Sequence, residues 1–103
     1  MYRTRVTVQV LYGRFKEHLE TCHRINELAR SRGWTESMFW VPTVGLGNQM
    51  VIETDYPDFA TFEREGEAFY SDPEAMELLA GAIGHLVESS ARSELLNTLS
   101  TPA

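Results

Sequence analysis

The chain has 103 residues, nine of them Lys or Arg and fifteen Asp or Glu, for a formal net charge of −6. That charge repels phosphate backbones and anionic lipid, which argues against nucleic acid and membrane as partners. The length fits one domain over residues 1–103; folding at this size buries roughly 60 to 68% of the unfolded chain's surface, so self-association to cover a further surface is expected. The single Cys22 has no internal partner, and neither a charged-then-apolar leader nor an apolar run of about 18 residues appears, as in a reduced, soluble, cytoplasmic protein.

From Arg3 to Tyr12 the residues alternate. Thr4, Val6, Val8, Val10 and Tyr12 fall on one side, and Arg3, Arg5, Thr7, Gln9 and Leu11 on the other, the period of a strand with one face in a core. Gly13 breaks the run. Phe15, Leu19, Cys22, Ile25, Leu28 and Ala29 then recur at steps of three and four, with Arg14, Lys16, Glu17, Glu20, Arg24, Glu27 and Arg30 outside. This predicts a surface helix over 15–32, closed by a cationic last turn and a left-handed Gly33 cap.

Trp34 to Val44, rich in aromatic and β-branched residues, reads as a second strand whose far end is marked by Pro42, Gly45 and Gly47. A hairpin turn is expected near Val44 to Asn48, followed by a return strand over Gln49 to Thr54. Alternation in that strand is weak; the reading adopted turns Met50 and Ile52 toward the helices. Asp55, Tyr56, Pro57 and Asp58 supply turn and capping chemistry before a helix with Phe59, Phe62, Gly66 and Phe69 on one face, Tyr70 beside them, and Asp58, Glu63, Glu65 and Glu67 outside. Ser71 or Asp72 as a cap, with Pro73 in the first turn, restarts a helix along Met76, Leu79, Ala80, Ile83 and Leu86, so the second helical stretch is split in two. A last strand is expected near Ser89 to Leu99, and the end at residues 100–103 is expected to fray.

The order β-α-β-β-α-β defines an α+β, ferredoxin-like unit: a four-stranded antiparallel sheet with helices on one face. The other face is left open for a partner.

No phosphate-cradling glycine loop, paired-cysteine motif, elbow serine or metalloprotease histidine pair occurs, so catalytic residues are unassigned, and no metal or cofactor is expected. His18 and His23 stand five apart on one helix, about 500° of rotation, and read as exposed or edge histidines. His85, near the end of the last helix, is a candidate site residue because an imidazole there is favoured by the helix dipole. Arg5, Thr7, Gln9, Glu53, Arg92 and Glu94 are candidates for one surface on the open sheet face. They read either as an interfacial salt-bridge network or as a polar patch that orients a carbonyl-bearing ligand. Most of the aromatic residues belong to the core, but Trp40 and Tyr70 carry polar handles suited to a cleft between sheet and helices.

These elements, with the runs Trp40 to Asn48, Tyr56 to Glu63 and Phe69 to Glu74, resemble the dimeric α+β barrel superfamily, most closely its NIPSNAP-like branch. The likeness covers nearly the whole chain and implies a homodimer whose two open sheet faces meet to form a barrel. It does not imply one activity, since the superfamily includes cofactor-free monooxygenases, haem-degrading enzymes, polyketide cyclases and members without an assigned reaction. Asn48 matches the Asn after the glycine turn of NIPSNAP-like sequences, where it serves turn geometry.

Two readings of function follow. In one, a homodimer binds a small apolar or aromatic molecule near Trp40, Tyr70 and a polar donor such as Asn48, His85 or Arg92, with any turnover being cofactor-free oxygenation or cyclisation. In the other, Phe59, Phe62, Phe69, Met76 and Leu79 fill the space and the protein is a non-catalytic interaction module. A cavity of roughly 300 Å3 or more against Trp40 or Tyr70 favours the first, and a solid interior the second.

Overall fold

Strand β1 (Tyr2–Gln9) lies inside the sheet, antiparallel to β3 (Gln49–Tyr56) on one side and to β4 (Arg92–Asn97) on the other. The short β2 (Met38–Trp40) pairs with the outer edge of β3, giving the order β2-β3-β1-β4. Helices α1 (Phe15–Arg32), α2 (Phe59–Tyr70) and α3 (Pro73–Ile83) complete the chain. This computed structural model describes residues 1–99; the expected fraying at residues 100–103 lies outside them.

Register decides which side of each strand meets the helices. Val6 stands opposite Ile52, and Val8 opposite Met50; with Val10 and Cys22 they form a core closed by Phe15, Leu19, Phe39 and Leu86. Val10 and Met50 have no exposed surface at all. Met50 and Ile52 thus face the helices, as the weak alternation was read. The far end of the same face carries Tyr2 and Tyr56, covered by α2 through ring contacts of 5.5 Å from Tyr2 to Phe59 and from Tyr56 to Phe62.

The helix ends follow side-chain chemistry. Gly33 takes the left-handed φ of 75° and its N–H closes on the carbonyls of Ala29 and Arg30. The Asp58 carboxylate accepts from the Thr61 N–H at 2.7 Å, and that of Asp72 from the N–H groups of Glu74 and Ala75. Asp72 also accepts from Arg32 Nε at 2.9 Å, which ties the end of α1 to the start of α3; these partners hold its carboxyl below the usual range.

Three expectations need correction. The stretch from Trp34 is a strand only over Met38–Trp40, because residues before it bond to helix side chains instead: Asn26 exchanges two 2.8 Å bonds with the Ser37 backbone. The Thr35 N–H donates to Glu65 at 2.6 Å, so Glu65 is half-buried, not outside. Beyond Trp40, Pro42 has no N–H for a ladder. The last strand begins at Arg92 because Ser89 takes a positive φ of 62° and the Ser90 hydroxyl bonds the Gln9 backbone.

Because Met50 is wholly enclosed between β1 and the helices, Met50→Ala is expected to lower unfolding stability by roughly 2 to 5 kcal/mol, read from urea denaturation. A loss below about 1 kcal/mol would place the centre of the core elsewhere.

Candidate functional site

The open face of the sheet is a grid of charges. Its first row runs Asp55, Arg3, Leu96; its second Met38, Glu53, Arg5, Glu94; its third Trp40, Val51, Thr7, Arg92. Arg3 grips Asp55 with two bonds, Nε to Oδ1 at 2.6 Å and Nη2 to Oδ2 at 3.0 Å. This pairing holds the Asp55 carboxyl below its ordinary range. Arg5 Nε donates to Glu53 Oε2 at 2.8 Å, and Arg3 stands 3.9 Å from the other Glu53 oxygen. The Glu53 side chain is only 9% exposed, against 38% for Arg5. Arg5, Glu53, Arg92 and Glu94 therefore share one face, with Thr7 and Gln9, as the alternation of β1 required.

The helix side holds a second polar feature. His18 is 2% exposed although it was expected at the surface. It stands edge-on to His85, ring centres 5.8 Å apart at 87°. Neither nitrogen of His18, nor Nδ1 of His85, has a hydrogen-bond partner among the described residues, while His85 Nε2 lies 3.6 Å from the Glu17 carboxylate. Burial, and then the neighbouring His85, push the His18 imidazole below its usual pKa; the nearby Ala82 carbonyl acts weakly the other way. The signal for His18 was present in its spacing, three residues after Phe15 and four before Cys22, on the buried stripe of α1. His23, by contrast, is exposed, edge-on to Phe39.

The expected site residues are dispersed. Trp40 is on the open face, 51% exposed, since its neighbour Phe39 stands opposite Ile52 and turns to the core. Arg92 occupies the same row three strands away, about 14 Å at the usual strand spacing. Tyr70 ends α2 in the helix layer, 69% exposed, so no single cleft holds it with Trp40. Asn48 ties the hairpin to β1, its carbonyl accepting from the Val10 N–H at 2.8 Å and its amide donating to the Val10 carbonyl at 3.1 Å. His85 meets His18, as described.

Two hollows lie on helix exteriors. One, about 490 Å3, is an open groove along Phe62, Gly66 and Tyr70; the other, about 450 Å3, runs between α1 and α3 past Arg24, Leu28, Arg32 and Leu78. The first touches Tyr70 but no strand. Cys22 is sealed in the core, its thiol pushed up to about 11 by burial. Among the described residues no cluster of His, Cys, Asp or Glu is arranged to hold a metal ion, and no helix is long and apolar enough to cross a membrane.

No protein-family model and no curated protein sequence matches the chain. Solved structures do. An uncharacterized NIPSNAP domain protein from Burkholderia xenovorans superposes with a TM-score of 0.77 at 17% identity, over 100% of this chain and 99% of that one. A NIPSNAP family protein from Agrobacterium tumefaciens gives 0.76 at 12% identity, over 98% and 88%. An antibiotic biosynthesis monooxygenase gives 0.75 at 12% identity, over 97% and 100%. At such identities the likeness is one of fold: the chain carries the same ferredoxin-like α+β unit as these proteins.

The unequal exposure of Arg5 and Glu53 predicts unequal effects. Arg5→Met leaves a covered carboxylate without its close partner and is expected to cost about 2 kcal/mol. Glu53→Gln leaves a guanidinium that water can reach and should cost less than about 1 kcal/mol. Urea denaturation of both variants checks the order; a larger loss for Glu53→Gln would reverse the assignment.

Proposed function

We propose that the protein works as a homodimer joined through its open sheet face and takes up a small apolar or aromatic molecule between the sheet and α2. The observation that carries the ligand reading is that α2 has no fully buried residue, although Phe59, Phe62 and Phe69 line its inner side. An aromatic layer of Tyr2, Tyr56, Phe59 and Phe62 thus stays partly open beside the closed core around Met50, the lining such ligands favour.

The dimer reading is supported by charge. Arg3, Arg5 and Arg92 balance Glu53, Asp55 and Glu94 on the open face, so a second copy of that face meets no net repulsion although the whole chain carries −6. Met38, Trp40, Val51 and Leu96 add apolar area to the same surface. Any turnover is read as cofactor-free oxygenation, and the fold shared with a structure named a monooxygenase supports the oxygenation part of that reading. The substrate then supplies the electrons: a ring methylene becomes a carbonyl, and one dioxygen leaves its second atom as water. The protein's part is to position the molecule and exclude bulk water.

A second reading, the non-catalytic interaction module, is favoured by the filled packing around Val10 and Met50 and by hollows that lie on helix exteriors.

Light scattering during size exclusion is expected to give twice the chain mass of 11.7 kDa, and Trp40→Asp or Arg92→Glu to shift the protein toward monomer. Retention of the dimer by both variants would remove the sheet face as the interface. Calorimetric titration with 1-naphthol is expected to saturate, and Phe59→Ala to weaken binding by about tenfold, or about 1.4 kcal/mol. Absence of saturable heat with this probe favours the interaction module.

A further inference from the structure

The imidazole pair of buried His18 and largely covered His85 is a feature that the proposed function does not use. It sits where α1 crosses the exit of α3, and that exit is fastened to the end of β1. The Leu11 N–H donates to the His85 carbonyl and the Val87 N–H to the Gln9 carbonyl, both at 2.8 Å, around the bridge between Val10 and Leu86. His85 is thereby held on the sheet side, and His18 presses on it from α1, edge-on at 5.8 Å. Three ring nitrogens of the pair are buried without partners. A seam closed over unsatisfied polar groups is weaker than an apolar one, because each such group has given up water for nothing in return.

The surroundings of the pair treat a proton on the two rings differently. From α1, the Glu17 carboxylate stands 3.6 Å from His85 Nε2 and is itself paired with Arg14 at 3.0 Å. From α3 the neighbour is the uncharged Ala82 carbonyl. One turn along α1 stands the neutral thiol of Cys22, which belongs to the uncharged core of Val8, Val10 and Met50. His85 Nε2 faces outward to Glu17. A charge on His18 meets the Ala82 carbonyl but no carboxylate, and burial outweighs that one acceptor, so the charge is relieved further by water, which requires α1 to part from α3.

We propose that His18 and His85 form a proton-operated latch, closed while His18 is neutral and opened by acid, which separates the first half of α1 from the exit of α3 and admits water to the core at Cys22. The latch stands independently of the ligand and dimer readings. Its direction follows from burial: a base whose folded pKa is depressed keeps the closed state fully stable above its free value of 6.5, and that stability is lost as pH falls toward the folded pKa. Below that value each pH unit changes the open fraction by up to about tenfold, until His18 itself titrates in the closed state. Opening of this kind is local, since β1 and β3 keep their ladder of paired residues.

Cys22, the chain's single cysteine, is a built-in reporter one turn from His18 and 4% exposed. The test is its labelling by 4,4′-dithiodipyridine, a reagent active in acid, from about pH 7.5 to about pH 5. Each rate is divided by that of the urea-unfolded chain at the same pH. Wild type is expected to lose protection as pH falls below about 6.5, by at most about tenfold per pH unit, while its far-ultraviolet circular dichroism stays native. In His18→Gln and His18→Leu the protection should be nearly independent of pH, and His85→Gln, which removes one cause of the depression at His18, should make the loss smaller. Two variants at position 18 are used so that a packing defect in one leaves the other to decide the matter. An unchanged pH dependence in a folded position-18 variant overturns the latch, as does loss of the circular dichroism in step with Cys22 exposure.

Discussion

The alternation of β1 is the constraint on which the other elements depend. This strand is paired on both sides, so its valines and its arginines each set the character of a whole sheet face. Val6, Val8 and Val10 draw Ile52, Met50 and the stripe of α1 into one core. Arg3 and Arg5, a single residue out of phase, gather Asp55, Glu53 and Glu94 on the opposite side. A slip of one residue in that register would put guanidinium groups under the helices and valines in water, so the register is strongly determined.

Polar groups have been placed in two ways across the molecule. On the open face Asp55 and Glu53 are satisfied: each meets a guanidinium group at hydrogen-bond distance, and Glu53 is nearly covered. Under the helices His18 is not, since it is as buried as the neighbouring core and lacks a partner. The first arrangement leaves Asp55 and Glu53 each paired within the chain. The second is a local weakness within packing that is otherwise closed, and such weaknesses are where a fold opens first.

Much of the fold was legible because its signals are local. The helix over Phe15–Arg32 follows from its stripe and from Gly33, and the turn chemistry of Asp58, Asp72 and Pro73 marks the starts of α2 and α3. The extent of β2 was not legible, because β propensity from Trp34 onward competes with the side chains of Asn26 and Glu65, which come from distant parts of the chain. The shared charged surface was readable once the strand order was inferred. Placing Trp40 and Tyr70 in one cleft was not, because the side of the sheet that Trp40 takes depends on its register against β3.

His18 marks the same boundary at the level of one residue. Its helical position put it on the buried stripe, but a histidine on such a stripe is soluble enough to be read as an edge residue until its neighbours are known. The sequence by itself determined the order of elements, the two faces of β1 and the helix ends, because each depends on periodicity or capping within a few residues. Only the tertiary structure decided that His18 meets His85, that Glu53 is covered, and that Trp40 and Tyr70 part company. Those outcomes rest on contacts between segments tens of residues apart, whose geometry is set by strand register and helix packing and is not encoded in any local pattern.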